Sequence, residues 1–240
     1  GSGLVGSEMC IRDSIKSQGA SSQNQEFLFE GKVYTPGSAS HWKTSVEGLE
    51  RLANSKRIHT ASNSIRYRRF ITDFPYKQIT NFWSDTGTGS FTDDKIYVVQ
   101  TNYKVIARCM LMTTDPGDLV LDITCGSGTT AYVAEQWGRR WITCDTSRVA
   151  ITLAKQRLMT ATFDYYKLAH PEQGVGSGFV YKTVPHITLK SIANNEPPAT
   201  ETLYDQPEID KGKVRITGPF TVEALPAPVV KPLDLSLIHI

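Results

Sequence analysis

The stretch Leu119–Asp145, LVLDITCGSGTTAYVAEQWGRRWITCD, sets two short apolar runs on either side of a glycine turn and a helical segment. Leu119 to Ile123 (LVLDI) suits a strand buried in a parallel sheet. Cys125 to Thr130 (CGSGTT) is a tight loop, Ala131 to Trp137 is helical, and Gly138 is well placed to end that helix. Arg140 to Asp145 (RWITCD) reads as a second strand. Outward on the N-terminal side, Asp115-Pro116-Gly117-Asp118 is a turn. Before it, Asn102 to Thr113 places Val105, Cys109 and Met112 at helical spacing, with Ile106 and Met110 beside them, which predicts one apolar helix face. On the other side Ser147 can cap a helix whose Val149, Leu153, Arg157 and Ala161 share a face. The order helix, strand, glycine loop, helix, strand, helix is half of a doubly wound α/β sheet.

Such sheets bind ligands beyond the carboxyl ends of their strands. Asp122 closes the first strand and Gly126-Ser127-Gly128 follows it. Glycines there let a ligand approach the backbone without meeting a Cβ. A helix starting near Thr129 turns its free N–H groups to the same crevice, where they can hold a carboxylate. Asp145 ends the second strand, where a carboxylate can accept both hydroxyls of an adenosine ribose. Three ligands compete for this pattern. A dinucleotide loop would have Ala131 at its third glycine position, which that fingerprint permits, so NAD stays open. A P-loop needs a Gly-Lys-Ser/Thr ending, and none is present. S-adenosylmethionine needs only a shallow loop, a carboxylate site and a ribose acceptor. A structural glycine turn in another α/β protein is the remaining alternative.

The rest of the chain bounds these readings. With 240 residues, 40% hydrophobic, 21% charged and a net charge of +2, it has room for one large domain or one domain with long flanks. No run reaches the roughly 18 apolar residues of a membrane span, and no leader pattern opens the chain. Cys10, Cys109, Cys125 and Cys144 form no CxxC pair and fit no zinc spacing, so no metal is expected. Free thiols point to a reducing, cytoplasmic setting, with Cys109 and Cys144 expected as small core residues. Gly1–Ser14 (GSGLVGSEMCIRDS) and Leu235–Ile240 (LSLIHI) resemble translated adapter sequence and are set aside from fold reasoning, so the native gene is expected to extend in both directions. Residues 15–94 read as an irregular region with one evident helix, Ser45 to Ala53. Within it Lys56 to Phe70 carries Lys56, Arg57, Arg66, Arg68 and Arg69 and no acidic residue, which suits phosphate contact or a solvated basic face. Residues 95–190 read as the core, with one or two strands between Phe179 and Leu189, and 191–240 as a Pro-rich linker or tail.

Val120–Leu158 (VLDITCGSGTTAYVAEQWGRRWITCDTSRVAITLAKQRL) resembles the cofactor-binding region of the DNA N4/N6 amino-methyltransferases. That family's loop reads about D-P-F-x-G-S-G-T-T, with an acidic residue closing the next strand. Asp122, Cys125, Gly126, Ser127, Gly128, Thr129 and Thr130 take the loop positions, Asp145 takes the acidic one, and Ile123 replaces the usual Pro. Upstream, the family's Q-K-P element keeps Gln100 but has Thr101 and Asn102 in place of Lys and Pro, and Pro116-Gly117-Asp118 follows in register. Trp83-Ser84-Asp85 matches a Trp-x-Asp before that element. The resemblance covers Phe27 to Leu189 and is closest from Lys95 to Leu158. Helix element first and glycine loop second is the order of a permuted class, whose catalytic motif precedes the loop.

The resemblance implies an α/β fold: a partial Rossmann-like S-adenosylmethionine-dependent methyltransferase sheet with an irregular N-terminal region and an extended C-terminal tail. It implies S-adenosylmethionine held by the loop residues, Asp145 and Gln100, and double-stranded DNA as substrate, methylated on a flipped-out adenine N6 or cytosine N4. Arg66, Arg68 and Arg69 are the candidate DNA contacts, and a restriction subunit is the implied partner. The D/N/S-P-P-aromatic motif that receives the target base is not intact. Pro197-Pro198 lies between Glu196 and Ala199, and Asp73-Phe74-Pro75-Tyr76 has Phe in place of the first Pro. No catalytic residue is therefore assigned. The motif is expected upstream of residue 15, leaving this chain with the donor pocket but inactive alone. A methyltransferase for RNA or a small molecule, and a non-catalytic remnant, remain as alternatives. Cys125 has no nearby His to make it a nucleophile, and His186 is expected to be a buried structural histidine.

Overall fold

The computed structural model describes residues 10–19, 26–87 and 101–225. The first part is built from short strands around one helix: β1 (Cys10–Ser14), β2 (Lys16–Gln18), β3 (Phe27–Phe29), β4 (Lys32–Tyr34), β5 (Ser40–Trp42), α1 (Val46–Asn54), β6 (Ile58–Ala61) and β7 (Ser64–Phe70). Strands β1, β7 and β6 form one antiparallel sheet, while β2 pairs with β5 and β3 with β4. Ser45 caps α1 by accepting from the Gly48 amide, which fixes the helix start where the sequence places it. Ile15, Phe27, Trp42, Leu49, Leu52, Ile58, Ile65 and Tyr67 bury together, so a region of weak periodicity still owns a core. The strand β1 lies inside the stretch read as foreign and nonetheless pairs along β7. The reading of Leu235–Ile240 lies outside the described residues.

The second part begins with α2 (Tyr103–Thr113), then β8 (Leu119–Asp122), α3 (Thr129–Gln136), β9 (Arg140–Thr143) and α4 (Arg148–Thr160). The strands β8 and β9 run parallel, Leu119 opposite Arg140 through Asp122 opposite Thr143. This is the expected strand–helix–strand unit, and it is mixed α/β structure. No third strand joins the pair among the described residues, so the expected larger doubly wound sheet is not seen there. The next strand, β10 (Thr162–Tyr166), turns away and pairs antiparallel with β13 (Ile209–Ile216). Likewise β11 (Tyr181–His186) pairs with β12 (Ala199–Pro207).

The Pro-rich tail is therefore corrected: residues 199–216 are two strands, and the short helix α5 (Leu189–Ala193) packs on α1 in the first core. Arg215 of β13 reaches the C-terminus of α3, donating to the carbonyls of Glu135 and Gln136 and pairing with the Glu135 carboxylate at 3.4 Å. Cations suit that helix end because its last carbonyls lack partners.

Two helix faces are also corrected. In α2 the buried side chains are Ala107 and Met110, with Ile106 partly covered; Cys109 and Met112 face out. The small Ala107 lets α2 approach Val133 and Ala134 of α3, and two neighbouring apolar stripes could not be ranked without that partner. In α4 the inward row is Ala150, Ala154 and Leu158, while Val149 is exposed. Cys144 is exposed as well, because it leaves β9 at the open end of the strands.

Candidate functional site

The ends of these elements sort into two sides. At one end Arg139, buried, donates to Thr114 Oγ1, to the Thr114 carbonyl and to the Trp137 carbonyl, binding the C-termini of α2 and α3 together. There Gly117 N–H donates to the Gly138 carbonyl and Arg140 N–H to the Asp118 carbonyl. The opposite end accordingly collects the carboxyl ends of β8 and β9 and the N-termini of α2 and α3. That is where a parallel pair offers its ligand crevice.

The glycine loop and Asp145 meet at this end. Gly126 N–H donates to Asp145 Oδ2 at 2.9 Å, and Ser147 N–H to Oδ1 at 2.8 Å. These two backbone donors hold the Asp145 carboxyl below the usual carboxylate range. The Thr146 N–H adds to them, and the carboxylate still keeps acceptor capacity beyond these bonds. Cys125 N–H donates to the Cys144 carbonyl at 2.7 Å, which clips the loop to the end of β9. Asp122 Oδ1 accepts from the Thr124 N–H and hydroxyl and shapes the strand exit.

The loop residues divide by direction. Gly126 has φ +54°, and an added Cβ would meet nothing nearer than the Thr124 carbonyl at 3.8 Å, so space lies open above it. Gly128, at φ +74°, instead faces protein: a Cβ would stand 2.7 Å from Ala154 Cβ. It is also the N-cap of α3 and supplies no side chain to the first turn, leaving N–H groups there directed at the crevice. Ser127 and Thr129 are buried and share a hydrogen bond at 3.1 Å, so their hydroxyls are turned inward. Thr130 is half-buried. Cys125 is buried, and burial pushes its thiol pKa up, which does not favour a nucleophile. Gln100 lies outside the described residues; Asn102, two positions on, caps α2 by accepting from Lys104 N–H.

Sequence reasoning placed Arg157 on a helix face without giving it a task. It reaches back from α4 to the Ser127 carbonyl (3.3 Å) and Thr129 Oγ1 (3.1 Å), with its guanidinium over the Tyr132 ring at 4.5 Å. A charge on an otherwise apolar stripe was the available signal.

The basic segment does not form one patch. In β7, Arg66 and Arg68 share a face with His59, which pairs opposite Arg66. Arg69 points to the other face, 3.6 Å from Asp13. Burial first, and then the nearby Arg12, Arg68 and Arg66, lower the His59 pKa. Arg57 is withdrawn from it. It makes a two-pronged pair with buried Asp73 at 2.6 and 2.8 Å and lies over Phe70. Asp73 also accepts from Phe70 N–H, so the Asp-Phe-Pro-Tyr stretch has no free carboxylate for a base amine. Phe74 instead stacks on His186 at 4.2 Å, and His186 Nδ1 meets Glu201 at 2.6 Å; this histidine is partly exposed, not buried. These residues line a groove of about 1220 Å³ that runs along α2, apart from the glycine loop.

No helix among the described residues is long and apolar enough to cross a membrane. Residues 22–156, more than half of the chain, match the family model N6_N4_Mtase, described as DNA methylase. Over 131 residues the chain is 28% identical to the type II methyltransferase M.EcaI of Enterobacter cloacae, covering 53% of this chain and 29% of that protein. It is 35% identical over 88 residues to the type II methyltransferase M2.DpnII of Streptococcus pneumoniae, 34% of this chain and 31% of that one. A probable type III restriction-modification enzyme HindVI Mod subunit of Haemophilus influenzae is 34% identical over 89 residues, 35% of this chain and 12% of its own length. The chain thus spans less than a third of each of these relatives.

Proposed function

The chain belongs to the N6_N4_Mtase family of DNA methylases, and from that premise we propose that it is the methyl-donor half of a site-specific DNA amino-methyltransferase acting on adenine N6 or cytosine N4. The observation that carries the reading is the 2.9 Å bond between Gly126 N–H and Asp145 Oδ2, which brings a bare backbone and a carboxylate to one crevice. S-adenosylmethionine fits these residues. The open space over Gly126 admits the nucleoside, the remaining acceptor capacity of Asp145 suits the ribose hydroxyls, and the uncapped first turn of α3 suits the amino-acid carboxylate. Bound there, the sulfonium supplies an electrophilic methyl group. The protein's part is to orient it and to exclude water around it.

The same premise extends to the fold and to partners. We infer that β8 and β9 belong to a Rossmann-like sheet. Leu119, Leu121 and Ile142 stand on one side, 52%, 63% and 50% exposed, whereas parallel sheets are ordinarily covered on both faces. Double-stranded DNA is the substrate, with Arg66, Arg68 and His59 on the phosphate-facing side of β7 and β6. The likeness to a Mod subunit supports a restriction-modification setting. No intact P-P-aromatic motif occurs in the chain, so it holds the donor without methylating DNA by itself, in the reduced cytoplasm its free thiols suit.

Calorimetric titration of the chain with S-adenosylmethionine tests the site. Asp145→Ala is expected to weaken binding about 10-fold or more, the loss of hydrogen bonds to a charged group. Gly126→Val is expected to abolish it. Unchanged affinity in both variants would refute the donor site.

A further inference from the structure

Trp83-Ser84-Asp85 has no part in the pocket described above, yet it is tied to the pocket's neighbouring helix. The turn is internally braced: Trp83 Nε1 donates to the Thr80 carbonyl at 2.6 Å and Thr86 Oγ1 to the Trp83 carbonyl at 2.8 Å. So braced, it presents an indole and a carboxylate to α2. Arg108 forks onto Asp85 with Nη1 to Oδ1 at 2.8 Å and Nη2 to Oδ2 at 2.7 Å, and its guanidinium lies over the Trp83 ring at 5.3 Å. Lys104, one turn nearer the helix start, reaches the same carboxylate at 3.4 Å. The Arg108 fork is the largest cause holding the Asp85 carboxyl far below its usual range, with Lys104 contributing.

Of the two cations, Lys104 lies in the first turn of α2 and Arg108 at its midpoint. Its C-terminal end is already fixed by Arg139, and its middle by Ala107 and Met110 against α3. From outside, α2 is held at its first turn by Lys104 and at its midpoint by a planar fork and a ring face on Arg108. A fork and a ring together fix direction as well as distance, which a single point charge cannot do.

We propose that Trp83 and Asp85 are positioning residues that clasp Arg108 and Lys104 and thereby set where the first turn of α2 stands relative to the glycine loop. This rests on the donor-site reading above. In this pair Asp85 is solvent-exposed and Arg108 half-buried, and ion pairs open to solvent contribute little to global stability. Its effect is therefore expected in ligand affinity and local order, not in the unfolding midpoint.

The test uses the full chain with S-adenosylmethionine as probe and compares Asp85→Ala, Asp85→Glu and Asp145→Ala with the parent. Asp85→Ala is expected to weaken binding about 5-fold or more with a nearly unchanged melting temperature, and Asp85→Glu to recover most of the affinity. Hydrogen exchange without ligand is expected to speed up in Asp85→Ala at the amides of Val105 to Arg108 and not in α3. If the parent binds and Asp145→Ala weakens binding while Asp85→Ala binds as the parent does, the clasp is overturned and the donor site stands. If the parent shows no binding, both fall. A general drop in melting temperature with unchanged α2 exchange would reduce Asp85 to an ordinary structural contact and also overturn the proposal.

Discussion

Gly126 and Gly128 adopt the same left-handed backbone, yet different neighbours require it. At Gly126 the space beside the Cα is open, and at Gly128 it is taken by Ala154. An L-residue costs about 1–2 kcal/mol in the left-handed region whatever surrounds it. Gly128→Ala adds a collision with a packed helix, where overfilling costs a further ~1–3 kcal/mol. Denaturant titration is therefore expected to find Gly128→Ala clearly less stable than Gly126→Ala, and equal losses would mean that α4 yields freely. The spacing of the two glycines was plain in the sequence. Their separate duties were not, because the residue facing Gly128 lies in a helix two elements later. For the same reason Arg157 read as one member of a helix stripe, although its guanidinium braces the loop from beneath.

Among the elements, the turn after β7 shows how a motif can mislead. Asp73-Phe74-Pro75-Tyr76 looks like a damaged base-binding motif. Its carboxylate is instead the buried anchor for Arg57, and its carbonyl accepts from Ile187 N–H just beyond β11. Neutralising one member of a buried pair strands the other charge and costs about 3–5 kcal/mol. Asp73→Asn is thus expected to lower the thermal midpoint markedly while leaving donor affinity in the folded protein unchanged. A selective loss of donor binding at full stability would contradict this structural role. Helix starts were legible at this scale, since Ser45, Asn102 and Ser147 each accept from an amide two or three residues on. Strands β12 and β13 were not, because Pro197-Pro198 and a high charge content masked alternation that only their partners β11 and β10 make meaningful.

At the scale of the whole molecule, one side of the β8–β9 pair carries Leu119, Leu121 and Ile142 uncovered. A contiguous apolar surface of that kind favours association. Leu121→Glu is expected to reduce concentration-dependent self-association in sedimentation experiments while changing stability by no more than about 0.5 kcal/mol, as for other exposed sites. An unchanged sedimentation profile would show that this side does not drive association. The sequence by itself determined the strand–loop–helix–strand unit, the glycine turn and the carboxylate at its edge, because each depends on backbone rules acting over a few residues. Only the tertiary structure decided which helix stripes are buried, that the tail folds back as strands, and that Asp85 reaches Arg108. Those outcomes depend on which distant surfaces meet, and short-range spacing does not encode that.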